Sequence, residues 1–172
     1  MSLTLRVDKT WDGRPCEAIE VVEIELRVDA DELHITIDAP YHGDAPPPGP
    51  AGSYDGLWEY EVVEVFLLGG ADNYVELEFA PHGHYLALAL LGPRRRLGEL
   101  PIEYYAHIVG ERWRGSASIP RATLPDAVTA LNAYAIHGKG DARRYLAHAA
   151  VPGDAPDFHR LEHFAPTDFF SS

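Results

Sequence analysis

The chain has 172 residues, of which 46% are hydrophobic, and its 27 acidic and 14 basic residues give a formal charge of −13. This length fits one domain over residues 1–172, and the surplus of carboxylates repels phosphate backbones, so we expect no nucleic acid partner. No segment approaches the ~20 apolar residues that cross a bilayer, and the charged opening is unlike a signal peptide. The single cysteine, Cys16, excludes an intrachain disulfide framework. We therefore expect a cytoplasmic protein that does not associate with membranes.

The first predicted elements in chain order form a hairpin. Residues 22–28 alternate apolar and charged side chains, and residues 33–37 alternate again after a turn. A period of two is typical of half-exposed strands. The following stretch, residues 41–53, contains three successive prolines, which fix φ and remove backbone donors. We interpret it as a surface loop rather than a linker between domains.

The clearest strand pattern is a meander over residues 57–91, in which LWEYEVVEVFLL and NYVELEFAPHGHYLALALL flank a glycine-rich turn. Both runs are rich in β-branched and aromatic residues, which favours strands. Later strands are predicted over residues 102–109, 112–119, 131–137 and 143–151. The tail from residue 152 has no clear period, and we expect it to cover one end of the fold. Short strands at this spacing, with almost no helix, predict an all-β protein with an antiparallel two-sheet β-sandwich.

Carboxylates interrupt this apolar meander and share one face of it. If Val63 and Val65 face the core, then Glu64 faces away, because successive strand side chains alternate between faces. The same alternation brings Glu76 and Glu78 of the next strand to that outer face. Aromatic rings stack on sugars and carboxylates accept hydrogen bonds from hydroxyl groups, so this face suits a carbohydrate or another polyol. The alternative is the exposed sheet face of an acidic protein, with solvated glutamates.

The predicted ligand-binding face collects side chains from several elements. Aromatic residues precede Glu64, a later strand can contribute to the same face, and turn histidines can form its rim. The candidate ligand-binding residues are Trp58, Tyr60, Glu64, Glu76, Glu78, His82, His84, Tyr105, His107 and His137.

Two other functions are open at this point. Paired glutamates can hydrolyse a glycoside if their carboxyl groups lie ~5–5.5 Å or ~6.5–9.5 Å apart and one pKa is raised. The aromatic residues of the tail can instead form an exposed patch of a protein-interaction module. These residues are Phe158, Phe164, Phe169 and Phe170. We favour ligand binding without catalysis and assign no catalytic residue.

The remaining motifs carry little support for other chemistry. The sequence has no nucleophile elbow, no P-loop and no dinucleotide fingerprint. His159 and His163 are four residues apart, but Arg160 stands where a zincin motif needs glutamate, so we expect neither a metal nor a cofactor. We interpret residues 94–96, three arginines, as a solvated loop. Arg143 is interpreted as a partner of the surplus carboxylates, with an anion clamp as the alternative.

Several motifs resemble known families. WEYEVVEVFL and YVELEFAPHGHYLAL resemble the central signature of DOMON-like sandwiches related to family 9 carbohydrate-binding modules. TWDGRP, LWEYEVVEVF, APHGH, NAYAIHG and PDFHRLEHF together resemble an uncharacterised family of small single-domain proteins of bacteria and animals, over nearly the whole chain. The wider resemblance implies a β-sandwich of jelly-roll type that binds a sugar, or in some branches haem, on one concave sheet face. Haem-binding relatives use Met and His as axial ligands, and the only methionine here is Met1, so the resemblance implies a saccharide or other small-molecule partner.

Overall fold

Two β-sheets pack face to face in the computed structural model, which describes residues 1–171. In chain order the strands are β1 (Ser2–Val7), β2 (Lys9–Thr10), β3 (Val22–Val28), β4 (Glu32–Pro40), β5 (Gly52–Ser53), β6 (Val62–Leu68), β7 (Asn73–Phe79), β8 (His84–Leu91), β9 (Arg96–Glu99), β10 (Glu103–Val109), β11 (Arg112–Pro120), β12 (Ala130–His137), β13 (Arg144–Ala147) and β14 (Ala165–Pro166). Within this range the only helical segments are single 3₁₀ turns.

The two sheets differ in size and in connectivity. One has five strands in the order β1-β3-β4-β11-β10. The other has nine, along the path β2-β13-β12-β6-β7-β8-β5, with β14 beside β12 and β9 beside β8. Every pairing is antiparallel except the short contact of β5 with β8. The predicted all-β antiparallel two-sheet sandwich is confirmed.

The strand boundaries depart from the predictions in two places. The opening segment forms the edge strand β1, although only its Leu3, Leu5 and Val7 alternation signals it. The last predicted strand, residues 143–151, is reduced to β13. After Ala147 the chain bends away from the sheet and begins the tail.

The main core lies between the sheets. Val63, Val65 and Leu67 of β6 face inward, and side chains of β3 and β4 such as Ile24 and Ile37 meet them. Each of these side chains is buried, which contributes roughly 1.5–3 kcal/mol per residue to folding. The predicted alternation of β6 is therefore confirmed, and it fixes which side chains reach the outer face of the nine-stranded sheet.

The outer face of the nine-stranded sheet is covered as well. Phe66 and Tyr134 of this face pack with Phe158 and Phe164 of the tail. A sheet buried on both faces explains why its strands read as nearly continuous apolar runs. The tail thus lies across a sheet face, whereas a position at one end of the sandwich was expected.

The exposed aromatic patch predicted for the tail is wrong. Phe158, Phe164 and Phe169 are at most 8% exposed, and Phe170 packs half-buried against the main core. Burying these rings on the sheets removes the apolar surface that a protein-interaction module would need. A membrane-spanning helix is likewise not found anywhere in residues 1–171, whose 3₁₀ turns are too short to cross a bilayer.

Candidate functional site

A pocket of about 410 Å³ opens on the outer face of the nine-stranded sheet. Four adjacent strands supply its floor, with Glu64 from β6, Glu76 from β7, Leu90 from β8 and Ile136 from β12. The tail and a loop stand on this floor and leave the pocket between them, because each covers only part of the sheet.

The loop wall carries an exposed aromatic ring. A single 3₁₀ turn, Leu57–Glu59, buries Leu57 against the sheet and leaves Trp58 37% exposed beside the pocket. The tail wall is formed by residues 156–159, in which the Phe158 ring stacks on Tyr134 at 3.8 Å between centroids. A ligand in the pocket therefore has aromatic surface on two sides.

Three glutamates cluster at the floor. Glu64 and Glu78 are direct partners across β6 and β7, and Glu76 lies two residues before Glu78 on the same face. Their exposed fractions are 2%, 0% and 5% respectively. Glu64 and Glu76 line the pocket, and Glu78 is enclosed beside them. No N–H or hydroxyl group of residues 1–171 donates a hydrogen bond to Glu64 or Glu78.

Burial raises the pKa of all three carboxyl groups above the usual value for glutamate. Burial raises the pKa of Glu64 well above its usual value, the charge of Glu76 raises it further, and Arg143 lowers it. The pKa of Glu78 is also raised well above its usual value, first by burial and then by Glu64 and Glu76. Burial raises the pKa of Glu76 to about 7, although the neighbouring Glu78 carboxyl group and the nearby arginines act in the opposite direction. At neutral pH the cluster therefore retains protons and can both donate and accept hydrogen bonds.

Arginines form the polar part of the walls. Arg94 donates to Asp157 at 2.8 Å, and Arg96 donates to Asp55 at 2.8 Å while its guanidinium lies 5.6 Å from the Trp58 ring centroid. Arginine above an indole ring gains a cation–π attraction. These contacts hold the side chains at the pocket, and both arginines line it.

Arg143 approaches the floor from the opposite side. Its guanidinium donates to the carbonyl oxygens of Trp58, Glu59 and Gly138, and it lies 5.6 Å from the Tyr145 ring centroid. Carbonyl acceptors orient a guanidinium without cancelling its charge. Arg143 thus fixes the loop wall and stabilises the ionised form of Glu64.

The anchoring of Arg143 yields a testable prediction about Gly138. This glycine has φ +80°, and an added Cβ would lie 2.5 Å from the carbonyl oxygen of Ala142. We expect Gly138→Ala to lower the free energy of unfolding by about 3 kcal/mol, because strain and collision add. Urea denaturation measures the loss.

Gly140→Ala is the matched control for that change. Gly140 also has positive φ, +53°, but an added Cβ would have nothing within 4 Å. Backbone strain alone costs about 1 kcal/mol. Equal losses in the two variants would contradict the proposed collision with Ala142.

A half-buried histidine of the pocket lining, His159, is held by the buried Tyr74. The Tyr74 hydroxyl accepts a hydrogen bond from the Arg94 backbone N–H at 3.0 Å and lies 2.7 Å from Nδ1 of His159. Burial lowers the pKa of His159 to about 4, so the ring is neutral at neutral pH. The hydroxyl then donates to Nδ1, which assigns the proton to Nε2, 3.7 Å from the Glu76 carboxyl.

The structure places the predicted site residues in several locations. Trp58, Glu64 and Glu76 line the pocket, and Glu78 is buried beside it. Tyr60 lies next to the loop wall, with its hydroxyl 3.4 Å from that of Tyr54.

The three predicted rim histidines lie outside the pocket lining. His82 contacts the Tyr41 hydroxyl at 3.1 Å. His84 is buried near Tyr54, and neither of its ring nitrogens has a hydrogen-bond partner among residues 1–171. His137 contacts Glu20 at 3.0 Å and stacks on a neighbouring histidine ring. These histidines connect loops to the sheets.

The prediction that Tyr105 and His107 join the carboxylate face is wrong. Both lie on β10, which is the edge of the five-stranded sheet. Their side chains are exposed on the opposite side of the sandwich from the glutamates. Strand parity assigns a side chain to a face, but it does not tell which sheet a strand joins.

Four further residues line the pocket that the sequence did not predict as ligand-binding residues: Arg94, Arg96, Arg143 and His159. The sequence predicts a solvated loop for Arg94 and Arg96 and a carboxylate partner for Arg143, and it suggests His159 only as a metal ligand. The run of arginines directly after a strand next to the glutamates is the signal that was available. Within the described part of the chain, no group of three or more His, Cys, Asp and Glu side chains is arranged to hold a metal ion.

Solved structures share this fold. A "putative carbohydrate-binding protein" from Bacteroides uniformis superposes with a TM-score of 0.72 over 96% of this chain and 84% of its own, at 18% identity. A family 9 carbohydrate-binding module from Caldicellulosiruptor kristjanssonii, solved with cellotriose, gives a TM-score of 0.57 over 84% of this chain and 72% of its own, at 13% identity. At sequence identities this low, the superpositions show that the chains share a fold.

Sequence relatives are found in vertebrates. The UPF0462 protein C4orf33 homolog of Mus musculus is 39% identical over 97% of this chain and 92% of its own length. The Danio rerio homolog is 39% identical over 90% of this chain and 83% of its own, and the Homo sapiens protein is 37% identical over 97% and 88%. No protein-family model matches the chain. Relatives at this identity over nearly the full length show that the chain belongs to the UPF0462 (C4orf33) family.

Proposed function

We propose that the protein binds a saccharide or another polyol in the pocket between Trp58 and Phe158. The observation that carries this proposal is the pair of pocket carboxyl groups, Glu64 and Glu76, to which the protein supplies almost no hydrogen-bond donors within residues 1–171. Buried polar groups normally have hydrogen-bond partners, and a ligand with several hydroxyl groups can supply the hydrogen bonds that these two carboxyl groups lack.

The walls suit the same ligand. A sugar hydroxyl can donate to a glutamate while it accepts a hydrogen bond from an arginine such as Arg143 or Arg96. The exposed Trp58 ring can stack on the apolar face of a pyranose. The fold shared with a carbohydrate-binding module supports the proposal, because the module has a saccharide in its complex.

Titration calorimetry with mono- and oligosaccharides tests the proposal. We expect Trp58→Ala to weaken binding about tenfold, because the stacking surface is lost. Glu64→Leu should weaken it by a similar factor, since both oxygens that can hydrogen-bond to a ligand hydroxyl group are lost.

Tyr105→Ala is the matched control for the tryptophan. Tyr105 is 72% exposed on the other sheet, so its removal should leave the affinity unchanged. The proposal fails if no saccharide binds, or if both aromatic variants bind as tightly as the natural chain.

Glycoside hydrolysis is a second candidate, favoured by one observation. Glu64, whose pKa burial raises well above its usual value, shares the pocket with Glu76, whose pKa of about 7 leaves it partly ionised at neutral pH, and hydrolysis needs such a pair of an acid and a carboxylate. Nitrophenyl glycosides distinguish the candidates. Binding alone releases no nitrophenol, whereas release that disappears in Glu76→Gln would establish hydrolysis.

A further inference from the structure

We propose that the saccharide carries an anionic group, a carboxylate or a phosphate, and that the arginines at the mouth of the pocket bind it. This inference rests on the proposed saccharide site and specifies its ligand. The carrying observation is the placement of Arg94, Arg96 and Arg143 around one pocket, in a chain with a formal charge of −13 and only 14 basic residues.

Arg143 contributes a charge that the protein does not neutralise by direct contact. No carboxylate of residues 1–171 lies within ion-pair distance of its guanidinium, which is held instead by backbone carbonyl groups. The positive charge therefore remains available to a ligand, and its orientation is fixed in advance.

Arg94 and Arg96 retain donors after their own ion pairs form. Each donates one hydrogen bond to one oxygen of an aspartate, Arg94 to the half-buried Asp157 and Arg96 to the exposed Asp55. A guanidinium has five N–H donors, so most of each fork can bind a carboxylate or phosphate bidentately. Both side chains are exposed, which lets them approach a ligand.

The acids of the pocket leave part of this positive charge available to a ligand. Glu64 and Glu76 are buried at the floor, where burial favours their protonated forms. Asp157 and Asp55 are bound by Arg94 and Arg96, and Glu59 is exposed on the loop wall. Three guanidinium groups thus face three carboxylates around the mouth, and Arg143 is the one whose charge no carboxylate within residues 1–171 binds directly.

This arrangement gives the ligand a direction. Its hydroxyl groups lie toward Glu64 and Glu76, one sugar face stacks on Trp58, and the anionic group points outward between the arginines. The pocket volume of about 410 Å³ is within the usual range of ~300–1,000 Å³ for small-molecule sites. A single sugar ring with one charged substituent matches this size.

Calorimetry with matched sugars tests the inference. The panel contains glucose, galactose and mannose, the uronic acid and the 6-phosphate of each, and inorganic phosphate alone. We expect at least one anionic sugar to bind about tenfold more tightly than its neutral parent, and this advantage should shrink between about 50 mM and about 500 mM salt. Comparison of the uronic acids with the phosphates identifies which anion is used.

Three neighbouring arginines provide the variants and their control. Arg94→Gln and Arg96→Gln should each weaken the anionic sugar about tenfold and the neutral parent much less. Arg95→Gln removes the same charge from an exposed residue that does not line the pocket, and it should leave both affinities unchanged.

The outcomes separate the inference from the proposed function. Equal affinities for neutral and anionic sugars overturn the anionic ligand and leave the saccharide site intact. An equal loss in all three arginine variants also overturns it, because the effect would then come from net charge alone. Failure of every sugar to bind, or binding of inorganic phosphate as tightly as any sugar phosphate, overturns the saccharide site together with the inference.

Discussion

Glu78→Gln is expected to make the protein more stable at neutral pH and to leave its stability near pH 4 almost unchanged. Glu78 is fully buried, and burial with two neighbouring carboxyl groups raises its pKa well above the usual value. The folded protein therefore binds the Glu78 proton more tightly than the unfolded chain does. The stabilising contribution of this proton is fully present below the unfolded-state pKa of about 4.3, and it is lost as the pH rises through the folded-state pKa. The loss amounts to about 1.4 kcal/mol for each pH unit in that window.

A glutamine removes this loss because it does not titrate. Its amide also brings N–H donors beside Glu76, the carboxyl group two residues earlier on the same face of β7. We expect a gain of about 2 kcal/mol or more in the free energy of unfolding at pH 7, measured by urea denaturation at both pH values. Glu103→Gln, an exposed change on β10, should show no gain. A Glu78→Gln variant destabilised equally at pH 4 and pH 7 would contradict the assigned protonation.

Phe158→Ala is expected to destabilise the protein by about 3–4 kcal/mol and to abolish saccharide binding. The ring is 8% exposed and stacks parallel to Tyr134, with an interplanar angle of 5° and centroids 3.8 Å apart. Removing a buried phenyl group loses its transfer free energy and leaves a cavity. The Tyr134 hydroxyl also donates to the Phe158 backbone carbonyl at 3.1 Å, and this contact remains in the variant, so the stacked ring is the part of the tail wall that is lost.

Phe170→Ala is the control in the same tail. Its ring packs half-buried against the main core and lies outside the pocket lining. We expect a smaller loss of stability and an unchanged saccharide affinity. Denaturation and calorimetry on both variants measure these effects, and equal loss of binding would show that the pocket depends on overall stability rather than on the Phe158 contact.

Strand parity was sufficient to predict the three glutamates at the floor of the pocket, but not Leu90 and Ile136 beside them. The alternation around Val63 and Val65 assigns Glu64 to the outer face, and register then brings Glu76 and Glu78 beside it. These relations are local, because adjacent strands of a meander pair through short turns. The sequence alone therefore recovers the three glutamates as a group.

The walls depend on contacts between distant parts of the chain. Arg143 and His159 reach the glutamates only because β12 pairs with β6 and the tail crosses the sheet. Tyr105 illustrates the converse, since its strand has the right alternation but joins the other sheet. An alternating pattern predicts that a strand has one buried face, but it does not predict which sheet the strand joins or which strands it pairs with.

The position of the tail has a consequence for when the site comes into existence. During synthesis the floor strands β6, β7 and β8 are made well before residues 156–159, and the pocket has no second wall until that segment docks. The floor and the tail wall of the pocket are therefore made at different stages, and a saccharide that bridges them, as proposed, binds only after residues 156–159 have docked on the sheet. Occupancy of the proposed site would thus report that the segment of residues 156–159 has docked on the sheet.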